Sequence, residues 1–187
     1  MDALIYAIMD ENIYVRLAAL QALGKLLKAA PHLASEQAME VLTTAMEDEN
    51  DATCCIAIEI MKELALVDGR FVPHFLDKLI NPQITKQDLR GSIHGVRARS
   101  MVDIAKKYPQ YKEQVWEALK NGIGDQNEFA ECHTVDSLVI LAKHDLQYAE
   151  PLWKLLQEMT RRDYNVYINA AIRKGLNELD YNPTAGS

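Results

Sequence analysis

The stretch Asp10-Glu11-Asn12-Ile13-Tyr14-Val15-Arg16-Leu17-Ala18-Ala19-Leu20-Gln21-Ala22-Leu23-Gly24-Lys25-Leu26 decides the fold. Its polar opening supplies short side-chain acceptors for the backbone N–H groups that have no partner at the start of a helix. After that opening, apolar residues return every three or four positions, which is the period of an amphipathic helix. Ala18, Ala19 and Ala22, with Ala57 further on, leave room for a second helix to approach closely.

The closing segment Ala22-Leu23-Gly24-Lys25-Leu26 is not solitary. Similar apolar closures fall at Leu64, Ile104, Leu141 and Leu176, which places successive anchors 38, 40, 37 and 35 residues apart. Sixteen residues before the first four anchors stand Asp10, Asp48, Asp88 and Asp125, and two residues beyond each of these come Asn12, Asn50, Arg90 and Asn127. The anchors are chosen by apolarity alone, so polar residues in the same register are independent support for an internal repeat. The fifth repeat departs from the pattern, with Thr160 in the acid's place and its acid later, at Asp163.

Each repeat reads as a helix A, a tight polar turn and a longer helix B. The A helices are expected over 3–9, 35–46, 71–80, 111–121 and 148–159, and the B helices over 13–28, 52–66, 89–108, 128–144 and 164–179. Pro31, Pro73, Pro109 and Pro151 lie between repeats or in the opening turn of an A helix, where a missing N–H costs least. Leu23, Met61, Met101 and Leu138 form an apolar ladder at one repeat position and read as core. Almost nothing alternates with period two. The expected architecture is therefore all-α, one solenoid domain over 1–187, in repeats 1–33, 34–67, 68–108, 109–145 and 146–181, with 182–187 as a disordered tail.

The quoted stretch resembles the turn and second helix of a HEAT repeat, including the HEAT-like variants of the PBS-lyase type. Later repeats keep the spacing but replace Val15-Arg16 with Thr53-Cys54, Ile93-His94, Ala130-Glu131 and Asn165-Val166. The resemblance implies a right-handed superhelix of about five helix pairs with B helices on its inner face. It implies an architecture and no activity, because the superfamily includes scaffolds, transport receptors, bilin lyases and relatives of alkylpurine DNA glycosylases. The chain contains no His-Glu dipeptide, the ligand dyad of the HEAT-like di-iron hydroxylases.

Composition narrows the function classes. In 187 residues, 49% are apolar and 25% charged, the usage of a folded domain rather than a disordered one. Twenty basic against 27 acidic residues give a net charge of −7, which works against a surface built to neutralise phosphates. Three cysteines, two of them adjacent, suit a reducing compartment, so a cytoplasmic location is expected. No apolar run is long enough for membrane insertion, and the first residues lack the layout of a secretory signal.

The repeat register turns the B helices into ladders. Ten residues before the anchors stand Arg16, Cys54, His94, Glu131 and Val166, and five before them stand Gln21, Glu59, Arg99, Asp136 and Ala171. His94 with Glu131, and Arg99 with Asp136 or Glu59, are the expected pairs. Cys132 and His133 are consecutive and point about 100° apart, whereas ligands borne on a helix need a spacing of three or four. Trp116 and Trp153 fall near one repeat position on A helices and read as a packing ridge, and Cys54 and Cys55 read as small buried hydrophobes. Arg97, Arg99, Lys106 and Lys107 give one helix a basic side that neighbouring acids dilute. The turn Glu47–Asp51, with four acids in five residues, reads as a solvated helix start, and Asn81–Gln87 as a longer turn.

The function expected is a non-enzymatic interaction module holding a protein or peptide along the inner face through Arg16, Gln21, Glu59, His94, Arg99, Glu131 and Asp136, with no metal or cofactor and no nucleic acid. The alternatives are a HEAT-like enzyme of the glycosylase or bilin-lyase kind, or a segment of a larger scaffold. The short first helix, with little polar surface, also raises self-association through the terminal repeat.

Overall fold

A computed structural model describes residues 1–81, 91–123, 128–162, 164–179 and 181. Asp88, Arg90, Asp125, Asn127 and Asp163, most of the turn after Asn81, and the tail 182–187 lie outside the described residues. Among those described, ten α-helices follow one another and no strand occurs: α1 (Asp2–Ile8), α2 (Ile13–Ala29), α3 (Glu36–Ala45), α4 (Asp51–Val67), α5 (Val72–Ile80), α6 (Gly91–Lys107), α7 (Lys112–Asn121), α8 (Glu128–His144), α9 (Ala149–Met159) and α10 (Val166–Leu179). They are the short A and long B helices that the repeat demands, and the chain is of the all-α solenoid class. By compactness the chain divides into two units, Met1–Ser100 and Met101–Ser187, each considered by itself.

The polar turns divide their work between two residues. Asp10 Oδ1 accepts the Asn12 backbone N–H at 2.7 Å and so holds the turn, while Asn12 Oδ1 accepts from the Tyr14 N–H at 2.9 Å and caps α2. Asp48 and Asn50 repeat the arrangement, with Asn50 N–H on Asp48 Oδ1 at 2.8 Å and the Ala52 N–H on Asn50 Oδ1 at 3.0 Å. In the fifth repeat Asn165 caps α10 by accepting from the N–H groups of Tyr167 and Ile168, both at 2.9 Å. Helix α10 therefore starts at Val166, not at Tyr164. Asn165 stands two residues after Asp163, so the fifth repeat keeps the Asp-x-Asn spacing and merely delays it by three residues.

Repeats are linked by single 3-10 turns at Pro31–Leu33, Gly69–Phe71, Pro109–Tyr111 and Leu146–Tyr148. Each reverses the chain after a B helix and delivers the next A helix against it. In the first unit Leu20, Leu23, Leu27, Leu42, Ile58, Met61, Phe75 and Leu76 are fully buried, and α2 packs along α4. In the second unit Leu138, Leu141, Leu152 and Leu156 fill the equivalent space, and α8 packs along α10. At about 1.5–3 kcal/mol for each large side chain taken out of water, these stripes are the main source of stability. The apolar ladder Leu23, Met61, Met101 and Leu138 is buried throughout. Trp116 is buried and stacks on Tyr148, ring centres 4.8 Å apart, and Trp153 lies against Tyr181.

Candidate partner-binding face

The two ladders of B-helix residues have different fates, and helix geometry explains the split. At 3.6 residues per turn, a position five before the anchor lies about 140° around the helix from it, whereas one ten before lies only about 80° away. Gln21, Glu59 and Arg99 of the nearer row are accordingly exposed, and Asp136 is half-exposed. In the farther row Cys54 and Glu131 are buried and Arg16 and His94 half-buried.

Arg16 is committed to the fold. Its NH1 donates to the backbone carbonyls of Asp10 and Glu11, both at 3.1 Å, and its Nε and NH2 engage the carboxylate of Asp48 at 3.1 and 3.2 Å. Glu131 is buried within the second unit and presents no surface to a partner. The carboxylates of this row have cations of their own: Glu59 pairs with Lys62 on α4, and Asp136 with Lys174 of α10 at 2.9 Å.

Between α2 and α4 the first unit opens a groove of about 620 Å³. Gln21 and Glu59 line it, so the structure brings these two sequence candidates together. Its floor is apolar, with Ile56, Ile60, Leu64 and an outward Val67, and its walls carry opposite charges, Lys25 and Lys28 on α2 against Glu59 and Glu63 on α4. Lys28 and Glu63 meet across the groove at 3.3 Å. Gly24 permits this depth, since a Cβ there would lie 2.8 and 2.9 Å from Cγ1 and Cδ1 of Ile60.

Sequence reasoning missed the floor. Two signals pointed to it: a glycine inside a helix, costly by about 1 kcal/mol unless something must come close, and Ile56 and Ile60 four residues apart outside the core stripe.

Cys55 also lines the groove, and its surroundings favour the thiol over the thiolate. Burial, then the nearby carboxylates of Asp51 and Glu59, push its thiol up. Cys54 beneath is pushed up to about 11 by burial, against the opposing pull of Arg97. Arg97 itself is buried, and its guanidinium donates to the carbonyls of Lys78 at 3.0 Å and Met46 at 3.2 Å, closing the C-terminal ends of α5 and α3. The cation therefore serves helix ends, where positive charge is favoured. Among the described residues no three His, Cys, Asp or Glu side chains are grouped to hold a metal ion, and no helix is long and apolar enough to cross a membrane.

The family model for the HEAT repeat matches residues 1–30, the first helix pair. An engineered protein whose crystal structure was determined by the Northeast Structural Genomics Consortium has a similar fold: TM-score 0.55 and 12% identity, over 94% of this chain and 77% of that one. At that identity the likeness concerns the fold. No curated protein matches the chain. The first helix pair thus matches a HEAT repeat by sequence, and over the rest of the chain the likeness is one of fold.

Proposed function

We propose that this chain is a non-catalytic repeat scaffold that holds a segment of a partner protein in the groove between α2 and α4. The observation carrying the reading is the groove itself: an apolar floor of Ile56, Ile60 and Val67 between a lysine wall and a glutamate wall. An amphipathic helix with acids along one flank and bases along the other satisfies both walls while burying its apolar stripe. Rigid helices supply such a surface without ordering a loop, so little entropy is lost on binding. Gln21 and Glu59 belong to this face, and Arg99 and Asp136 extend the exposed row in their own units. The three free cysteines fit the reducing cytoplasm as its location.

The test places a photo-crosslinking amino acid at Lys25 and identifies what is captured in cells of the source organism. The expected result is one protein partner, crosslinked through an apolar helix and lost when Ile60→Glu is added. Capture unchanged by Ile60→Glu, or retention of nucleic acid in its place, overturns the reading.

A further inference from the structure

The charges that line the groove between α2 and α4 are unequally committed. Glu63 is paired with Lys28 across the groove at 3.3 Å, and Glu59 with Lys62 on its own helix. On the α2 wall, Gln21 and Lys25 stand four residues apart on one exposed face. Among the described residues, neither of these two side chains has a hydrogen-bond or ion-pair partner. One wall thus carries carboxylates that already hold cations, and the other carries an ammonium and an amide still able to donate.

The second unit contains the same junction with its charges matched. There α8 and α10 are joined by two ion pairs, Asp136 with Lys174 at 2.9 Å and Lys143 with Glu178 at 3.2 Å. Asp136 stands five residues before its anchor, the position that Gln21 holds on α2, and Lys174 stands two before its anchor, the position of Lys62 on α4. Val139 takes the place of Gly24 and is buried. Gly175 lets α10 close against it, since a Cβ there would lie 3.0 Å from Val139 Cγ2. In the first unit position 21 is neutral, Lys62 turns to Glu59 on its own helix, and the α2 wall keeps donors that face solvent.

We propose, resting on the reading of this groove as a partner site, that the segment it holds is acidic: a carboxylate docks over Gln21 and Lys25 while apolar side chains of the same segment settle on Ile56, Ile60 and Val67. An acid gains a charge-assisted hydrogen bond there and breaks nothing, whereas a base must draw Glu59 or Glu63 away from a lysine. The net charge of −7 works the other way, attracting basic peptides without regard to site. A preference for acid therefore reports the surroundings of Lys25 and not the charge of the whole molecule.

Fluorescence anisotropy on the full chain, with three labelled helical peptides, tests this. The peptides share one leucine stripe of about three turns, the length of α4 from Cys55 to Val67, and their flanks carry glutamate, glutamine or lysine. At about 0.05 M salt the glutamate peptide is expected to bind about fivefold tighter than the glutamine peptide, an advantage that shrinks as the salt approaches about 0.5 M. Lys25→Gln, on an exposed helix face, is expected to erase the advantage and leave the affinity of the glutamine peptide as it was. Equal binding of the glutamate and glutamine peptides, or tightest binding of the lysine peptide, overturns the proposal. The groove reading survives that result if Ile60→Glu still abolishes binding of the glutamine peptide. An advantage that persists in Lys25→Gln also overturns the proposal. Binding of none of the three at about 1 mM overturns the groove reading and this one together.

Discussion

The guanidinium of Arg16 and the carboxylate of Asp48, 32 residues apart in sequence, meet side by side at 3.1 and 3.2 Å and fasten the turn of the first repeat to that of the second. Asp48 also accepts the Asn50 N–H at 2.8 Å, so one side chain organises its own turn and anchors its neighbour's. Both groups are largely shielded from water, which keeps the pair from being screened away. Asp48→Asn retains the turn and loses the ion pair, with an expected loss of about 1 kcal/mol. Arg16→Met leaves the shielded Asp48 carboxylate without its cation and costs about 2–3 kcal/mol. Urea unfolding followed by far-UV circular dichroism reads both, and equal midpoints for the two variants would contradict the ranking.

Arg97 is the most buried cation described, and it serves the carbonyls of Met46 and Lys78 simultaneously. Arg97→Met is expected to cost about 2–3 kcal/mol, since the Lys78 carbonyl loses its guanidinium donor and the Met46 carbonyl keeps only the Cys54 Sγ–H. Arg97→Lys should recover less than half of that, because one ammonium does not reproduce the planar fork that spans both acceptors. Full recovery by lysine would mean that charge alone matters there.

Alkaline pH should weaken the fold through Cys54. Its Sγ–H donates to the Met46 carbonyl at 2.8 Å, and burial holds its pKa near 11 against an ordinary value of 9.0. A pKa raised by folding means that the native state keeps a proton the unfolded chain has released. Stability is then intact below pH 9 and falls as the pH rises towards 11. Cys54→Ala should flatten the decline in urea midpoint between those limits. In the native protein at pH 8, thiol reagents should modify the half-buried Cys55 and Cys132 before Cys54.

Gly24→Ala sets two known effects against each other. Helix propensity favours alanine by about 1 kcal/mol, but the new methyl meets Ile60 at 2.8 Å, and overpacking costs about 1–3 kcal/mol. The expected result is a net loss of about 1 kcal/mol that changes sign in an Ile60→Ala background, where only the propensity gain remains. A stabilising effect in both backgrounds would show that Ile60 gives way freely.

The ten helices were legible because the period of apolar residues and the spacing of turn acids report the same object twice. Asn12 and Asn50 also disclosed the helix starts. The fifth start escaped, because Asn165 keeps its relation to Asp163 but not to the anchor Leu176, and a fixed register overlooks a three-residue delay. Among the site candidates, sequence spacing treated the rows ending in Gln21 and Arg16 as equivalent. The helix angle separates them, and so does a partner such as Asp48 that lies in another repeat. The Ile60 floor depends on how closely α2 and α4 approach, a distance that no single helix encodes.

The position ten residues before the anchor holds arginine, cysteine, histidine and glutamate in the first four repeats, each fitted to different surroundings. Identical repeats could exchange neighbours during folding at little cost. Here a repeat stacked out of turn strands Arg16 without Asp48 or leaves Arg97 facing no helix end, so each junction acts as an address that only one neighbour answers. The chemical variety that obscures the repeat in sequence is what writes its order into the folded chain.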